Sequence, residues 1–146
     1  LLPGDGRPPA AARGQLDACI TWLRSALTLA PDRAEIHCNL GATLADQGML
    51  DDAIVAFQAA LRIKPDLAPA HNNLANLLQR QGSKEQALFH FREAVRLDPN
   101  APEVRSNLAK LLLERGNLAE ALEHGVAAVR LRPTFVAGLL NLGNVL

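Results

Sequence analysis

One interval punctuates the chain. Prolines stand at Pro31, Pro65, Pro99 and Pro133, and glycines at Gly14, Gly48, Gly82 and Gly116, each 34 residues from the last. A fixed period restricts the fold more tightly than composition does. Each period must be one supersecondary unit that buries its apolar face against its neighbours. Between each glycine and the next proline, apolar residues recur at helical spacing, as in Ala53, Phe57, Ala60 and Leu61. Between each proline and the next glycine they do so again, as in Leu40 and Leu44 with Gly41. Each unit therefore reads as helix A, a turn at Gly, helix B, and a stop before Pro.

The residue types suit that reading. The chain is 49% hydrophobic but only 3% aromatic, with no Tyr, so its apolar surface comes from Leu, Ala, Val and Ile. Small, straight side chains favour close-packed helices over an aromatic-rich sandwich. At 146 residues the chain can bury a sizeable core. Fifteen basic and fifteen acidic residues cancel. That removes the overall positive charge a nucleic-acid or anionic-membrane binder relies on, so neither is the expected partner. No run of 18 apolar residues occurs, which argues against a membrane span. Two cysteines, Cys19 and Cys38, make no disulfide framework, and reduced thiols in a cytoplasmic protein are expected. The start, LLPGDGRPPAAARG, is not a signal peptide and carries no Met, which suggests a fragment.

The turns carry helix-start chemistry. Ser83 with Gln86, and Asn117 with Glu120, have the spacing of a capping box, and Asp51 and Asp52 put negative charge where a helix dipole favours it. These units resemble the tetratricopeptide repeat, whose pattern runs W-x2-L-G-x2-Y, then A-x3-F, then P. The second unit has His37 where Trp is common, then Leu40, Gly41, Leu44, Ala53, Phe57, Ala60 and Pro65. The third has His71, Leu74, Ala75, Leu78, Ala87, Phe91, Ala94 and Pro99. The fourth has Arg105, Leu108, Ala109, Leu112, Ala121, Gly125, Ala128 and Pro133, with Gly125 replacing the large residue. The first keeps only Cys19, Leu23, Ala26 and Pro31, and the fifth only Leu139, Leu142, Gly143 and Leu146.

The resemblance implies an all-α, right-handed solenoid of antiparallel helix pairs. Residues 31–64, 65–98 and 99–132 form whole repeats, 14–30 a lone helix B, and 133–146 a lone helix A. Residues 1–13 are read as an irregular linker, with loop to about Pro8; alternatively, Pro9 opens one helix running through Gly14 into Ile20. The apolar end, GLLNLGNVL, lacks the polar cap a repeat array needs, so a continuation is expected.

Nothing resembles an active site: there is no phosphate loop, nucleophile elbow or HExxH. The paired histidines, His37/His71 and His90/His124, stand one repeat apart, about 10 Å by helix-packing distances, while metal ligands must lie about 2 Å from one ion. They are read as framework or surface groups, Asp51-Asp52 as a helix start, and no metal, cofactor or catalysis is expected.

The unexplained residues are asparagines. Asn39, Asn73, Asn107 and Asn141 recur at one register, although Asn is a poor helix former. The resemblance implies that the second, fifth, sixth, ninth, twelfth and thirteenth positions of helix A line a concave groove. These four take the sixth, Asn72 the fifth, and Asn76 and Asn144 the ninth. An amide offers a donor and an acceptor, as each residue of an extended peptide does. The row is similar to the asparagine ladder of O-linked N-acetylglucosamine transferases, which contacts the main chain of protein substrates. The rival role is bonding between neighbouring repeats. A carboxylate clamp, as in chaperone-binding members, cannot be assembled, because the fifth positions are Cys38, Asn72, Ser106 and Leu140. Arg80 and Lys110, with Asp46 and Glu114, add groove charge of mixed sign.

The function this implies is a scaffold that binds a protein or extended peptide along helix A. Two alternatives are the substrate-recruiting arm of a larger glycosyltransferase, and self-assembly through Leu139, Leu140, Val145 and Leu146 of the uncapped last helix.

Overall fold

The computed structural model describes residues 8–134 and Gly143. Asn141, Asn144 and the apolar residues expected to mediate self-assembly lie outside the described residues. The described helices are α1 (Ala10–Leu29), α2 (Ala34–Asp46), α3 (Leu50–Ile63), α4 (Ala68–Arg80), α5 (Lys84–Leu97), α6 (Pro102–Glu114) and α7 (Leu118–Leu131). None is long and apolar enough to cross a membrane. The chain divides into two compact units, Leu1–Asn73 and Leu74–Leu146, with the division inside α4.

In the first unit α2 packs on both α1 and α3; in the second α6 packs on both α5 and α7. The alternation of small and large residues explains the close packing. Ala53 and Ala60 in the first unit are fully buried, as are Ala87, Ala94, Ala121 and Ala128 in the second. Phe57 and Phe91 fill the space beside them at 1% and 0% exposure. A Cβ placed on Gly41 of α2 would stand 3.0 Å from three ring atoms of Phe57, so the missing side chain lets the ring lie against the α2 backbone. Gly125, at the register of Phe57 and Phe91, is itself buried.

The A-to-B turns share one construction. Gly48, Gly82 and Gly116 have φ of 86°, 84° and 79°, the left-handed region glycine enters without strain. Around Gly48, the Met49 amide donates to the Leu44 carbonyl at 2.9 Å and the Gly48 amide to Ala45 at 3.0 Å. The same pair recurs as Ser83 to Leu78 with Gly82 to Gln79, and as Asn117 to Leu112 with Gly116 to Leu113. This is the Schellman motif, which satisfies carbonyls that a helix end leaves open.

Two expectations are corrected. Neither capping box forms: Ser83 and Asn117 occupy the N-cap, but neither side chain caps its helix. Their backbones (φ −80°, ψ 62° and φ −81°, ψ 68°) lie in inverse γ-turns, closed by the Lys84 amide on Gly82 at 2.9 Å and the Leu118 amide on Gly116 at 3.0 Å. A capping side chain needs a more extended backbone to reach the second and third amides. Glu120 is instead taken by Arg92.

The second correction concerns residues 10–13 and Gly14. Of the two readings left open there, the structure shows the single helix: α1 begins at Ala10 and runs through Gly14. Gly14 is no turn. Ala10, Ala11 and Ala12 are strong helix formers, and a lone interior glycine costs only about 1 kcal/mol against that propensity.

Candidate functional site

The helix A residues sort by what already holds them. The fourth position carries a donor. The His37 Nε2–H donates to the Pro31 carbonyl at 2.9 Å, and His71 Nε2–H to Pro65 at 2.8 Å. In α6 the Arg105 Nε–H donates to Pro99 at 2.7 Å. This clasp ties helix A to the turn before it and explains the 34-residue recurrence of a polar donor beside proline. Both histidines serve the framework.

The second position is tied as well. Lys64, just past α3, lies 3.4 Å from Glu35, and Arg132, just past α7, lies 2.5 Å from Glu103. The backbone amide of Glu35 at the start of α2, and then the Lys64 ammonium, hold that carboxyl below the ordinary range. Both pairs are solvent-exposed, so water and salt screen them and they add little to stability.

At the fifth position the expectation of a groove-lining side chain fails for Ser106, which is 1% exposed and belongs to the interior of the second unit. Cys38 is also enclosed, at 9%. Burial, followed by the nearby Glu35 carboxylate, raises its thiol pKa, so it stays neutral at neutral pH. Cys19 and Cys38 are both free thiols. Asn72 is half-buried.

At the sixth position Asn39 is exposed. Its carbonyl accepts from the Thr43 hydroxyl at 2.9 Å, while its side-chain amide makes no hydrogen bond among the described residues. Asn73 and Asn107 are half-buried, as is Asn76 at the ninth. Asn72 and Asn107 are each already engaged in an interaction. The Arg80 and Lys110 side chains reach solvent.

Beside Asn39 is a cleft of about 200 Å³, formed with Glu35, Cys38, Leu67 and Pro69. It combines an apolar wall from Leu67 and Pro69, a neutral thiol and an open amide. Such a surface can hold an uncharged side chain while Asn39 bonds the main chain beside it. The helical phase of Asn39 can be read from the sequence. That Leu67, in the turn before α4, shares its cleft cannot, because turn residues follow no such period.

Among the described residues no cluster of His, Cys, Asp and Glu is arranged to hold a metal ion. His124 takes part in a different network: Arg105 donates to its Nδ1 at 3.2 Å, and Arg92 forms a forked pair with Glu120 at 3.0 and 2.9 Å. Burial, then the Arg105 guanidinium, lowers the His124 pKa.

Three family models match the chain. Two are described as tetratricopeptide repeat, over residues 32–100 and 72–134, and one as TPR repeat, over residues 11–48. Among solved structures, one of MamA matches with a TM-score of 0.83 at 20% identity, covering 99% of this chain and 84% of that one. A second MamA structure matches at 0.82 and 21% identity, covering 92% and 74%. YrrB, described as a TPR protein with an unusual peptide-binding site, matches at 0.78 and 24% identity, covering 92% and 70%. At such identities the likeness is one of fold, the all-α helical-repeat solenoid. No curated protein matches the chain.

Proposed function

Because the chain belongs to the tetratricopeptide repeat family, we propose that it is a protein-interaction scaffold that binds an extended polypeptide segment through helix A. The observation that carries this reading is the exposed, unbonded amide of Asn39 beside its apolar cleft. Asn73 and Asn107 repeat that register, Asn141 continues it in sequence, and Asn72, Asn76 and Asn144 add amides nearby. Arg80 and Lys110 bias the side chains accepted. The peptide-binding site named for YrrB supports the same class of partner. One hydrogen bond nets only about 1 kcal/mol, so useful affinity needs several amides, and the 34-residue register supplies them.

The roles divide. Asn39 is held for a ligand, while Asn72 and Asn107, already engaged, also serve the fold. The test is a peptide array probed with the chain and with Asn39→Ala, Asn73→Ala and the quadruple variant at 39, 73, 107 and 141. Circular dichroism must first show equal helicity. The expected result is stepwise loss of bound peptides, with Asn39→Ala weakening binding about fivefold. Unchanged binding by the folded quadruple variant refutes the reading.

A further inference from the structure

Two constellations 68 residues apart share one register, and only one is filled. In the second unit Arg92 of α5, Arg105 of α6, and Glu120 and His124 of α7 interlock. His124 Nε2 also lies 3.9 Å from Glu120 Oε1. Two periods earlier the same positions are Arg24 of α1, His37 of α2, and Asp52 and Ala56 of α3. These four line a cleft of about 250 Å³, with Leu40 and Leu44 among its other lining residues. Leu40 and Leu44 are 7% and 2% exposed. Where the second unit has an imidazole, the first has a methyl group. Asp52 is one methylene shorter than Glu120, and among the described residues neither the Arg24 nor the Asp52 side chain makes a hydrogen bond or ion pair.

The geometry points to this cleft as a docking site for a histidine side chain presented by a partner polypeptide. The chain's own His124 shows that this register accommodates an imidazole among an arginine, a carboxylate and the fourth-position donor. The apolar side chains of Leu40 and Leu44 suit the ring faces. His37 directs its Nε2–H at Pro31, which in the neutral ring leaves Nδ1 as the acceptor for an N–H from the incoming ring. Asp52 offers a second acceptor and Arg24 a donor. A phenyl ring fills the same space but makes none of these hydrogen bonds, so it binds less tightly than an imidazole. The cleft shares no lining residue with the one beside Asn39, so it stands apart from the peptide-binding reading.

The test is an NMR titration of the ¹⁵N-labelled chain with acetyl-Gly-Ser-His-Ser-Gly-amide, alongside the matching peptides with Phe or Ala in place of His. Saturable shifts are expected at the amides of Leu40, Leu44, Ala56 and Ala59 with the His peptide at millimolar concentration, and about threefold weaker binding of the Phe peptide. Ala56→His, which supplies the ring from within, abolishes those shifts and raises the melting temperature. Should that variant fail to fold, Ala56→Leu closes the cleft instead, and Asp52→Asn weakens the His peptide selectively. Absence of saturable shifts, shifts mapping elsewhere, equal binding of the three peptides, or wild-type binding by a folded closed-cleft variant would each overturn the assignment.

Discussion

The ring of His71 closes a bond with the carbonyl of Pro65 six residues before it, at 2.8 Å, and is 6% exposed while doing so. The Pro65 carbonyl lies outside any helix, and the side chain at the fourth position of the next helix supplies its partner. Histidine does this twice and arginine once, so the position demands a donor that reaches, not one particular residue.

His71→Leu keeps bulk but orphans the Pro65 carbonyl. Stability in urea is expected to fall by about 1–2 kcal/mol. His71→Gln, which retains a donor, recovers part of that. Equal losses for both variants would mean that packing, not the bond, is what matters there.

Glycine substitutions should divide by backbone and space. Gly14 lies inside α1, and a Cβ added there would meet nothing within 4 Å, so Gly14→Ala is expected to stabilise by about 0.5–1 kcal/mol. Gly82 sits at φ 84°, so Gly82→Ala is expected to destabilise by about 1 kcal/mol. Thermal melts of the two variants, moving in opposite directions, check both.

Gly41→Ala sets the helix propensity it gains against a clash with the Phe57 ring. The ring is enclosed at 1% exposure and has little room to move, so a net loss of about 1 kcal/mol is expected. Phe57→Leu costs stability alone, but the double variant should lose less than the sum. A double-mutant cycle measures that coupling, and strict additivity would rule the contact out as the cause.

His124 sets a pH dependence. Its folded pKa is lowered, chiefly by burial and next by Arg105, so the unfolded chain binds the proton more readily. The neutral ring's contribution is fully present above the unfolded pKa of about 6.5 and is lost as pH falls through the folded value. Unfolding free energy should therefore drop below about pH 6.5. His124→Gln should flatten that part of the profile. An unchanged slope would place the acid sensitivity in other groups.

The repeat, its helices and its turns are legible in the sequence because each rests on local chemistry: proline, glycine and apolar spacing. The capping boxes mislead because Ser83-x-x-Gln86 has the right spacing, while the preceding Schellman turn dictates a γ-turn backbone that the spacing does not reveal. Register alone gives Gly14 a turn, although the neighbouring alanines outweigh one glycine. The exposure of Asn39 follows from its helical phase. The enclosure of Ser106 does not, because it depends on what packs over α6. The cleft around Ala56 becomes visible only when positions two periods apart are compared in space.

Side-chain bonds between helices join residues 30 apart along the chain in Arg115 to Glu85 and in Gln47 to Asp17. A fold assembled from such near neighbours closes only short loops, so the search for its native contacts is brief. Within each unit a helix can settle against the one made just before it soon after it leaves the ribosome. Each clasp closes a span of only six residues, so it can form as soon as its proline and the helix that follows are made.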